Sequence, residues 1–154
     1  DYFERIIVRA NIRLMEMTEG RYELVRSKEA ENKRSQSGLS LDVIDHYNGG
    51  QRSVKSLSGG ESFQASLALA LGLSDTVQEE AGGIRLDAMF IDEGFGTLDE
   101  GALRNALQAL LELAADARLV GVISHVPELK EKIERQIRIR KQLEGGSSAE
   151  LVLP

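Results

Sequence analysis

Two short apolar runs on either side of an Ala- and Leu-rich stretch constrain the fold of this chain more than any other feature. The first run, LDAMFID, ends at Asp92, and the second, RLVGVISH, ends at His125. The residues between them, from Asp99 to about Ala115, have the composition and length of a helix. A strand, a helix and a strand of these lengths predict a βαβ crossover with parallel strands. Ligands of such sheets bind at the carboxyl ends of the strands, where Asp92, Glu93 and His125 fall.

The rest of the chain carries the periodicities of further helices and strands. Apolar residues at three-to-four spacing predict an amphipathic helix that ends near Gly20, either a packed surface helix or the base of a coiled coil. Its apolar stripe is Ile6, Ile7, Ala10, Leu14 and Met17. The other predicted elements are strands at 21–27, 39–47, 136–142 and 149–153, and helices that follow the pair Gly59-Gly60 up to about Glu80 and at 127–133. We expect the first two strands to be antiparallel, and the strand at 136–142 to have one solvated face.

Charge limits how this segment can meet nucleic acid. The net charge of -6 and the pI near 5.0 argue against indiscriminate binding, which is driven by many Lys and Arg contacts to phosphates. The polar run KEAENKRSQSG between the first two strands contains Lys28, Lys33 and Arg34, which are candidates for contact with DNA. A solvated loop is the interpretation that we favour for that run.

Composition sets the remaining bounds. A chain of 154 residues with 42% hydrophobic residues is long enough for one domain with its own core. The absence of cysteine excludes disulfides and thiolate metal sites and suits the cytoplasm. The sequence has no apolar run long enough to span a bilayer and no signal segment, so we expect no membrane contact. Because it opens at Asp1 within a helical pattern, we expect it to be part of a longer polypeptide.

The stretch from Gly49 to Ser56 nearly matches the phosphate-loop pattern G-x-x-x-x-G-K-[ST]. Val54 stands where the pattern needs a glycine, and a β-branched residue resists the backbone conformation that wraps phosphates. A phosphate loop also leads directly into a helix, whereas Leu57 and a Gly-Gly pair intervene here. We therefore do not interpret this stretch as a phosphate loop.

The motif LSGGE at 57–61 is a stronger candidate for binding an anion. Ser58, Gly59 and Gly60 stand at a helix start, where backbone N–H groups, a hydroxyl and the positive end of the helix dipole are exposed. The same residues also predict a capping box between Ser58 and Glu61. The two interpretations are compatible.

The adjacent acids that end MFIDE suit phosphoryl chemistry on a nucleotide. One carboxylate can hold Mg2+, directly or through water, and its neighbour can orient or deprotonate an attacking water. Acids that merely cap the next helix also occur at ordinary strand ends. Taken alone, Asp92 and Glu93 do not separate these alternatives.

Three motifs in order resemble those of an ABC-type ATPase head. LSGGE at 57–61 is similar to the signature motif, MFIDEGFGTLD at 89–99 to Walker B and the D-loop, and VISH at 122–125 to the switch histidine. Within that superfamily, SLALALGLSD, GGIRLDAMFIDEGFGTLD and VGVISHVPELKEKI resemble the carboxyl-terminal segment of the SbcC family, the ATPase subunits of bacterial SbcCD exonucleases. The resemblance covers essentially the whole chain.

This resemblance implies an α/β fold, the distal half of an ABC-type ATPase head, with a mixed sheet and flanking helices. Residues 1–19 would be the end of a coiled-coil or amphipathic helix, and residues 20–154 the carboxyl-terminal half of the head. The amino-terminal half, with its Walker A phosphate loop, would lie upstream. The implied cofactors are ATP and Mg2+.

The resemblance also assigns roles to individual residues. Asp92 would lie in the Mg2+ coordination shell, Glu93 would be the general base or would position the water, and His125 would reach the γ-phosphate. The residues implied to bind a nucleotide held by the opposite protomer are Ser58, Gly59, Gly60 and Glu61. The D-loop, which couples the two sites across the dimer, would be Thr97, Leu98 and Asp99. His46 matches no motif, and we expect it to be structural or exposed.

The implied partners are a second SbcC-like protomer that dimerises with ATP, an SbcD-like nuclease subunit, and double-stranded DNA. ATP-driven dimerisation of heads would gate access of DNA to that nuclease. One alternative is an SMC- or RecN-like head that organises DNA without a nuclease, and another is a dimerisation module without turnover. Many ABC transporters carry Gln in place of Glu61 and Pro in place of Gly94, so transporter behaviour does not carry over.

Overall fold

The computed structural model describes residues 1–27, 40–80, 82, 88–115 and 118–154. The helices are α1 (Tyr2–Met17), α2 (Gly59–Glu80), α3 (Glu100–Ala115) and α4 (Pro127–Lys132). The strands are β1 (Tyr22–Arg26), β2 (Leu41–Asp45), β3 (Gly50–Ser53), β4 (Ala88–Asp92), β5 (Leu119–Ile123), β6 (Gln136–Lys141) and β7 (Ser147–Val152). They form two compact units, Asp1–Ile123 and Ser124–Pro154. Within these ranges, no helix has the length and apolar character needed to cross a membrane.

Helix α1 packs along α2 and makes much of the core of the first unit. The five residues of the predicted apolar stripe are the residues that α1 buries. The two backbones approach closely because Gly72 of α2 has no side chain. A Cβ atom there would lie 2.7 Å from the carbonyl oxygen of Ile6 and 2.7 Å from the nitrogen of Ala10. This crossing therefore depends on a glycine at position 72.

The three strands between α1 and α2 in the sequence form an antiparallel sheet in the order β1–β2–β3. The antiparallel pairing of β1 and β2 confirms the prediction, with Tyr22 opposite Asp45. The sequence did not predict β3, because GQRS has no apolar alternation and is specified only by its pairing with β2. A short 3-10 turn, Val54–Ser56, follows β3, so the near-match to a phosphate loop forms a strand and a turn. The polar run predicted between β1 and β2 lies outside the described residues.

Strands β4 and β5 are parallel, and Asp92 lies opposite Ile123 at their carboxyl ends. Helix α3 connects them, which confirms the predicted βαβ crossover. One face of this pair is open to solvent, where Phe90 is 69% exposed.

The second unit consists of α4 and the antiparallel hairpin of β6 and β7. The prediction of one solvated face on β6 was wrong, because both faces are exposed within this unit as described. Ile137 and Ile139 are 70% and 66% exposed. The strand itself was predicted correctly, but a two-stranded hairpin has no second layer of its own to cover the alternating apolar residues.

Candidate functional site

The motif LSGGE forms a capping box at the start of α2. The backbone N–H of Ser58 donates to Oε2 of Glu61 at 2.8 Å, and the N–H of Glu61 donates to Oγ of Ser58 at 3.3 Å. This confirms the predicted cap. Because Oγ accepts that bond, the Ser58 hydroxyl keeps its own proton for donation. Ser58 is exposed, so the proton can reach a group outside the chain.

The other oxygen of the Glu61 carboxylate, Oε1, contacts Tyr22 of β1 and Arg21, which directly precedes β1. The hydroxyl of Tyr22 donates to Oε1 at 2.6 Å, and Nη1 of Arg21 lies 3.9 Å from the same oxygen. Burial acts to raise the pKa of Glu61, but the hydrogen bonds from Tyr22 and Ser58, with the Arg21 charge, outweigh it and lower that pKa. Burial, together with the bond to Glu61, raises the pKa of Tyr22 to about 12. The carboxylate is therefore stabilised in its charged form.

Arg21 is fixed in turn by Asp45, whose side chain is only 3% exposed. The guanidinium donates from Nε to Oδ1 at 3.3 Å and from Nη2 to Oδ2 at 3.1 Å. The backbone N–H groups of Tyr47 and Asn48 also donate to Asp45. The hydrogen bond from Arg21 is the main cause that holds the pKa of Asp45 below its ordinary value. The guanidinium carbon of Arg21 lies 4.7 Å from the centre of the Tyr22 ring.

A second arginine holds the turn that leads into the motif. Nη1 of Arg52 donates to the carbonyl oxygen of Ser56 at 2.9 Å and to its Oγ at 2.7 Å. Its guanidinium carbon lies 5.9 Å from the centre of the Tyr22 ring. Four side chains thus support one short loop: Tyr22, Asp45 and Arg52 from β1, β2 and β3, and Arg21, which directly precedes β1.

The start of α2 packs against the turn between β4 and α3. A Cβ atom on Gly60 would lie 2.8 Å from the carbonyl oxygen of Thr97, and the side chain of Leu98 would lie 3.5 Å away. Oγ1 of Thr97 donates to the carbonyl oxygen of Gly94 at 2.7 Å, which closes the turn. The motif at 57–61 and the residues at 97–99 therefore belong to one continuous surface.

The chain leaves β4 through two residues in the left-handed region. Glu93 has φ 57 and Gly94 has φ 93, although the N–H of Glu93 still donates to the carbonyl oxygen of Ile123 at 2.9 Å. A Cβ atom on Gly94 would lie 2.2 Å from Cδ2 of Phe63, whose ring packs edge-on against Phe95. Proline fixes φ near -65°. The proline that many transporters carry at this position is therefore incompatible with this turn.

Most predicted site residues of the first unit are exposed, and Gly60, Glu61 and Leu98 are half-buried. Asp92, Glu93, Thr97 and Asp99 are exposed, and Oδ1 of Asp99 accepts from the N–H of Ala102 at 2.8 Å, which caps α3. His125, also exposed, belongs to the second unit, two residues beyond β5. Its position relative to the carboxylates stays a prediction.

The strand-end carboxylates suit a magnesium ion that is shared with a nucleotide. Mg2+ is usually held by one or two carboxylates together with phosphates and waters. Among the described residues, no three His, Cys, Asp or Glu side chains form a group that could hold a metal alone. Asp92, exposed at the end of β4, can serve as a single protein ligand of such an ion.

Comparison with known proteins decides the family. Residues 29–112, more than half of the chain, match the family described as SbcC/RAD50-like, Walker B motif. The chain belongs to this SbcC/RAD50-like family.

Curated relatives of this SbcC/RAD50-like chain are named as the SbcC subunit of the SbcCD nuclease. The protein of Staphylococcus saprophyticus is 57% identical over 132 residues, which are 86% of this chain and 13% of that protein. The protein of Staphylococcus aureus strain JH9 is 50% identical over 139 residues, which are 90% of this chain and 14% of that protein. The chain thus spans about one seventh of the length of these relatives.

Solved structures with the same fold are SMC heads. One, from work on ATP-driven dimerization and DNA stimulated activation of SMC ATPases, has a TM-score of 0.73 at 14% identity and covers 97% of this chain and 84% of that chain. The Smc head of Pyrococcus furiosus, bound to the C-terminal domain of ScpA, has a TM-score of 0.66 at 16% identity and covers 98% of this chain and 35% of that one. These likenesses confirm the predicted α/β head fold.

Sequence reasoning on this SbcC/RAD50-like chain missed the residues beneath the motif. Tyr22 and Glu61 are 39 positions apart, and no local pattern joins them. One signal was available, because a carboxylate in a loop suited to anions needs a compensating donor.

His46 is exposed, and its Nε2 lies 2.8 Å from Oε2 of Glu23.

Proposed function

We propose that this chain is the distal half of an ATP-hydrolysing head, in the ATPase subunit of a complex that processes double-stranded DNA ends. The names of the curated relatives, the family match and the SMC-like fold all support this function. ATP joins two heads, and their dimerisation gates access of DNA to an SbcD-like nuclease subunit. The complex works in the cytoplasm.

The packing of Gly60 against Thr97 is the observation that carries this proposal. It joins the signature loop, residues 57–61, to the D-loop, residues 97–99, in one exposed surface, so a second head that docks on this surface meets both loops. Ser58 offers a hydroxyl proton beside the positive end of a 22-residue helix, which suits the γ-phosphate of a nucleotide held by the partner head. Gly59, Gly60 and Glu61 complete that loop, and Thr97, Leu98 and Asp99 couple the two sites.

The strand-end acids supply the chemistry towards this head's own nucleotide. Asp92 would hold the Mg2+ that accompanies ATP, which would supply charge neutralisation at the phosphates. Glu93 accepts the proton of the attacking water or orients that water. His125 acts on the γ-phosphate from the segment that follows β5.

Two exposed apolar faces of the first unit suit contact with other parts of the complete protein. Val8, Ile12 and Met15 form an exposed apolar stripe on α1, spaced as in a coiled-coil seam. We infer that residues 1–19 are the base of a coiled coil and residues 20–154 the carboxyl-terminal half of the head. The amino-terminal half, with its Walker A loop, covers the exposed face of β4 and β5 around Phe90.

Substitution of Ser58 in the complete protein tests this function. Ser58→Asp keeps a good helix cap but sets a carboxylate against the incoming phosphate, and Ser58→Arg fills the surface where the heads meet. Both variants should bind ATP but fail to dimerise with it in light scattering. Ser66→Asp, on an exposed position of the same helix, is the matched control and should dimerise. ATP-dependent dimerisation of Ser58→Asp at the parental level would reduce the motif to a helix cap.

A further inference from the structure

The signature loop contains an electrostatic conflict. Glu61 carries a negative charge one turn into the helix whose start is suited to a phosphate. Like charges in a closed interface repel strongly, because little water remains to screen them. A carboxylate that was free to rotate towards the surface would oppose the phosphate that the loop receives.

We propose that Tyr22 is a positioning residue for the signature loop: its hydroxyl holds the Glu61 carboxylate inward, so that Ser58 and the start of α2 face the incoming phosphate. This inference rests on the proposed function of Ser58. Tyr22 touches neither nucleotide nor metal in this role, and it acts only through Glu61.

The geometry of the carboxylate supports this role. Its two oxygens are engaged on different sides, with Oε1 taking the Tyr22 hydroxyl at 2.6 Å and Oε2 taking the Ser58 N–H at 2.8 Å. The terminal torsion of a glutamate side chain has a broad distribution. The capping bond to Oε2 alone therefore leaves the position of Oε1 variable. The hydrogen bond from Tyr22 removes that freedom.

The tyrosine is itself held firmly. Tyr22 is 3% exposed and lies opposite Asp45 in the strand pairing. Asp45 binds Arg21 through two hydrogen bonds, and Arg21 stacks over the Tyr22 ring while its Nη1 lies 3.9 Å from Oε1 of Glu61. The hydroxyl is therefore held in place by the sheet, and the nearby cation offsets the charge of Glu61 at Oε1, the oxygen that does not bind Ser58.

The test uses four variants of the complete protein: Tyr22→Phe, Glu61→Gln, the double variant, and Tyr47→Phe. Tyr22→Phe removes only the hydroxyl and keeps the buried ring. We expect it to weaken dimerisation with a non-hydrolysable ATP analogue about tenfold in sedimentation, the scale of one lost hydrogen bond to a charged group. ATP affinity of the separated heads, measured by calorimetry, should not follow that loss. Tyr47→Phe is the control. It removes a hydroxyl that donates to the carbonyl oxygen of Glu19 on a ring that also lies near Arg21, and it should dimerise like the parent.

The Glu61→Gln background separates positioning from packing. A neutral amide can still accept from the Ser58 N–H but carries no charge to repel a phosphate. The double variant should therefore dimerise as well as Glu61→Gln alone, whatever Tyr22→Phe does to the melting temperature. Two outcomes would overturn the role of Tyr22 and leave the proposed function standing. One is that Tyr22→Phe weakens dimerisation equally with Glu61 and with Gln at position 61. The other is that Tyr22→Phe dimerises like the parent while Ser58→Asp does not. If Ser58→Asp also dimerises, the proposed function fails and this inference with it.

Discussion

The α-carbon of Gly60 lies so close to Thr97 that an added Cβ atom would come within 2.8 Å of the Thr97 carbonyl oxygen. The contact joins two loops that the sequence separates by a helix and a strand. Because both partners at this point are backbone, neither can rotate away as a flexible side chain would. A displacement of one loop must therefore move the other.

Gly60→Ala should destabilise the head by about 1–3 kcal/mol, the usual cost of forcing extra volume into a packed contact. The neighbouring Gly59→Ala is the matched control. Its Cβ atom would lie 3.7 Å from the side chain of Thr97, an ordinary contact, so it should leave the stability unchanged or slightly raised. Thermal melts of the complete protein compare the two, and equal melting temperatures would show that the Thr97 turn yields to a methyl group.

Glu93→Gln should reduce ATP turnover by about a hundredfold or more, the typical contribution of a general base, because an amide cannot accept the proton of water. ATP binding should persist, so the variant should accumulate as ATP-bound dimers. Phosphate release and light scattering on the complete protein measure both effects. Glu131→Gln, at an exposed position on α4, controls for loss of charge. Turnover of Glu93→Gln at the parental rate would make Glu93 an ordinary acid at a strand end.

Gly72→Ala should destabilise the first unit by about 2–3 kcal/mol or more, because its Cβ atom would press on the backbone of α1 at two points. Gly101→Ala offers a matched helical glycine. A Cβ atom there would meet only Oδ1 of Asp99 at 3.5 Å, so the better helix propensity of alanine should stabilise α3 by about 0.5–1 kcal/mol. Opposite shifts of the melting temperature are expected, and a neutral Gly72→Ala would mean that the helices can separate without cost.

Acid should loosen the sheet beneath the signature loop. The folded state lowers the pKa of Asp45, mainly through the hydrogen bond from Arg21, and an unfolded aspartate titrates near pH ~4. The resulting stabilisation is fully present above the unfolded pKa and is lost as the pH falls through the lower, folded pKa. Hydrogen exchange in β1 and β2, corrected for intrinsic rates, should therefore rise below about pH 4.

Asp45→Asn provides the comparison for that pH dependence. It should exchange faster than the parent at neutral pH, and the difference should shrink in acid, where the parent also loses its charge. A difference that stays constant with pH would assign the role of Asp45 to its shape and its hydrogen bonds alone.

Local patterns in the sequence were enough for most of the elements. The stripe on α1, the capping box of Ser58 and Glu61, and the parallel pairing of β4 with β5 each depend on residues near one another or on a repeated period. The family resemblance rested on the same short motifs. β3 escaped prediction because its four residues have no pattern of their own, and the exposure of β6 escaped because alternation does not say what covers an apolar face.

The sequence alone therefore determined where the helices and all the strands except β3 lie, which motif caps α2 and which family this chain belongs to. Only the tertiary structure decided that Gly60 meets Thr97, that Gly94 must turn past the ring of Phe63, and that Tyr22 holds Glu61. The physical reason is that periodicity and capping arise between residues a few positions apart. Close approach of backbones and compensation of a half-buried charge are set by partners that the packing of the helices and sheets brings together.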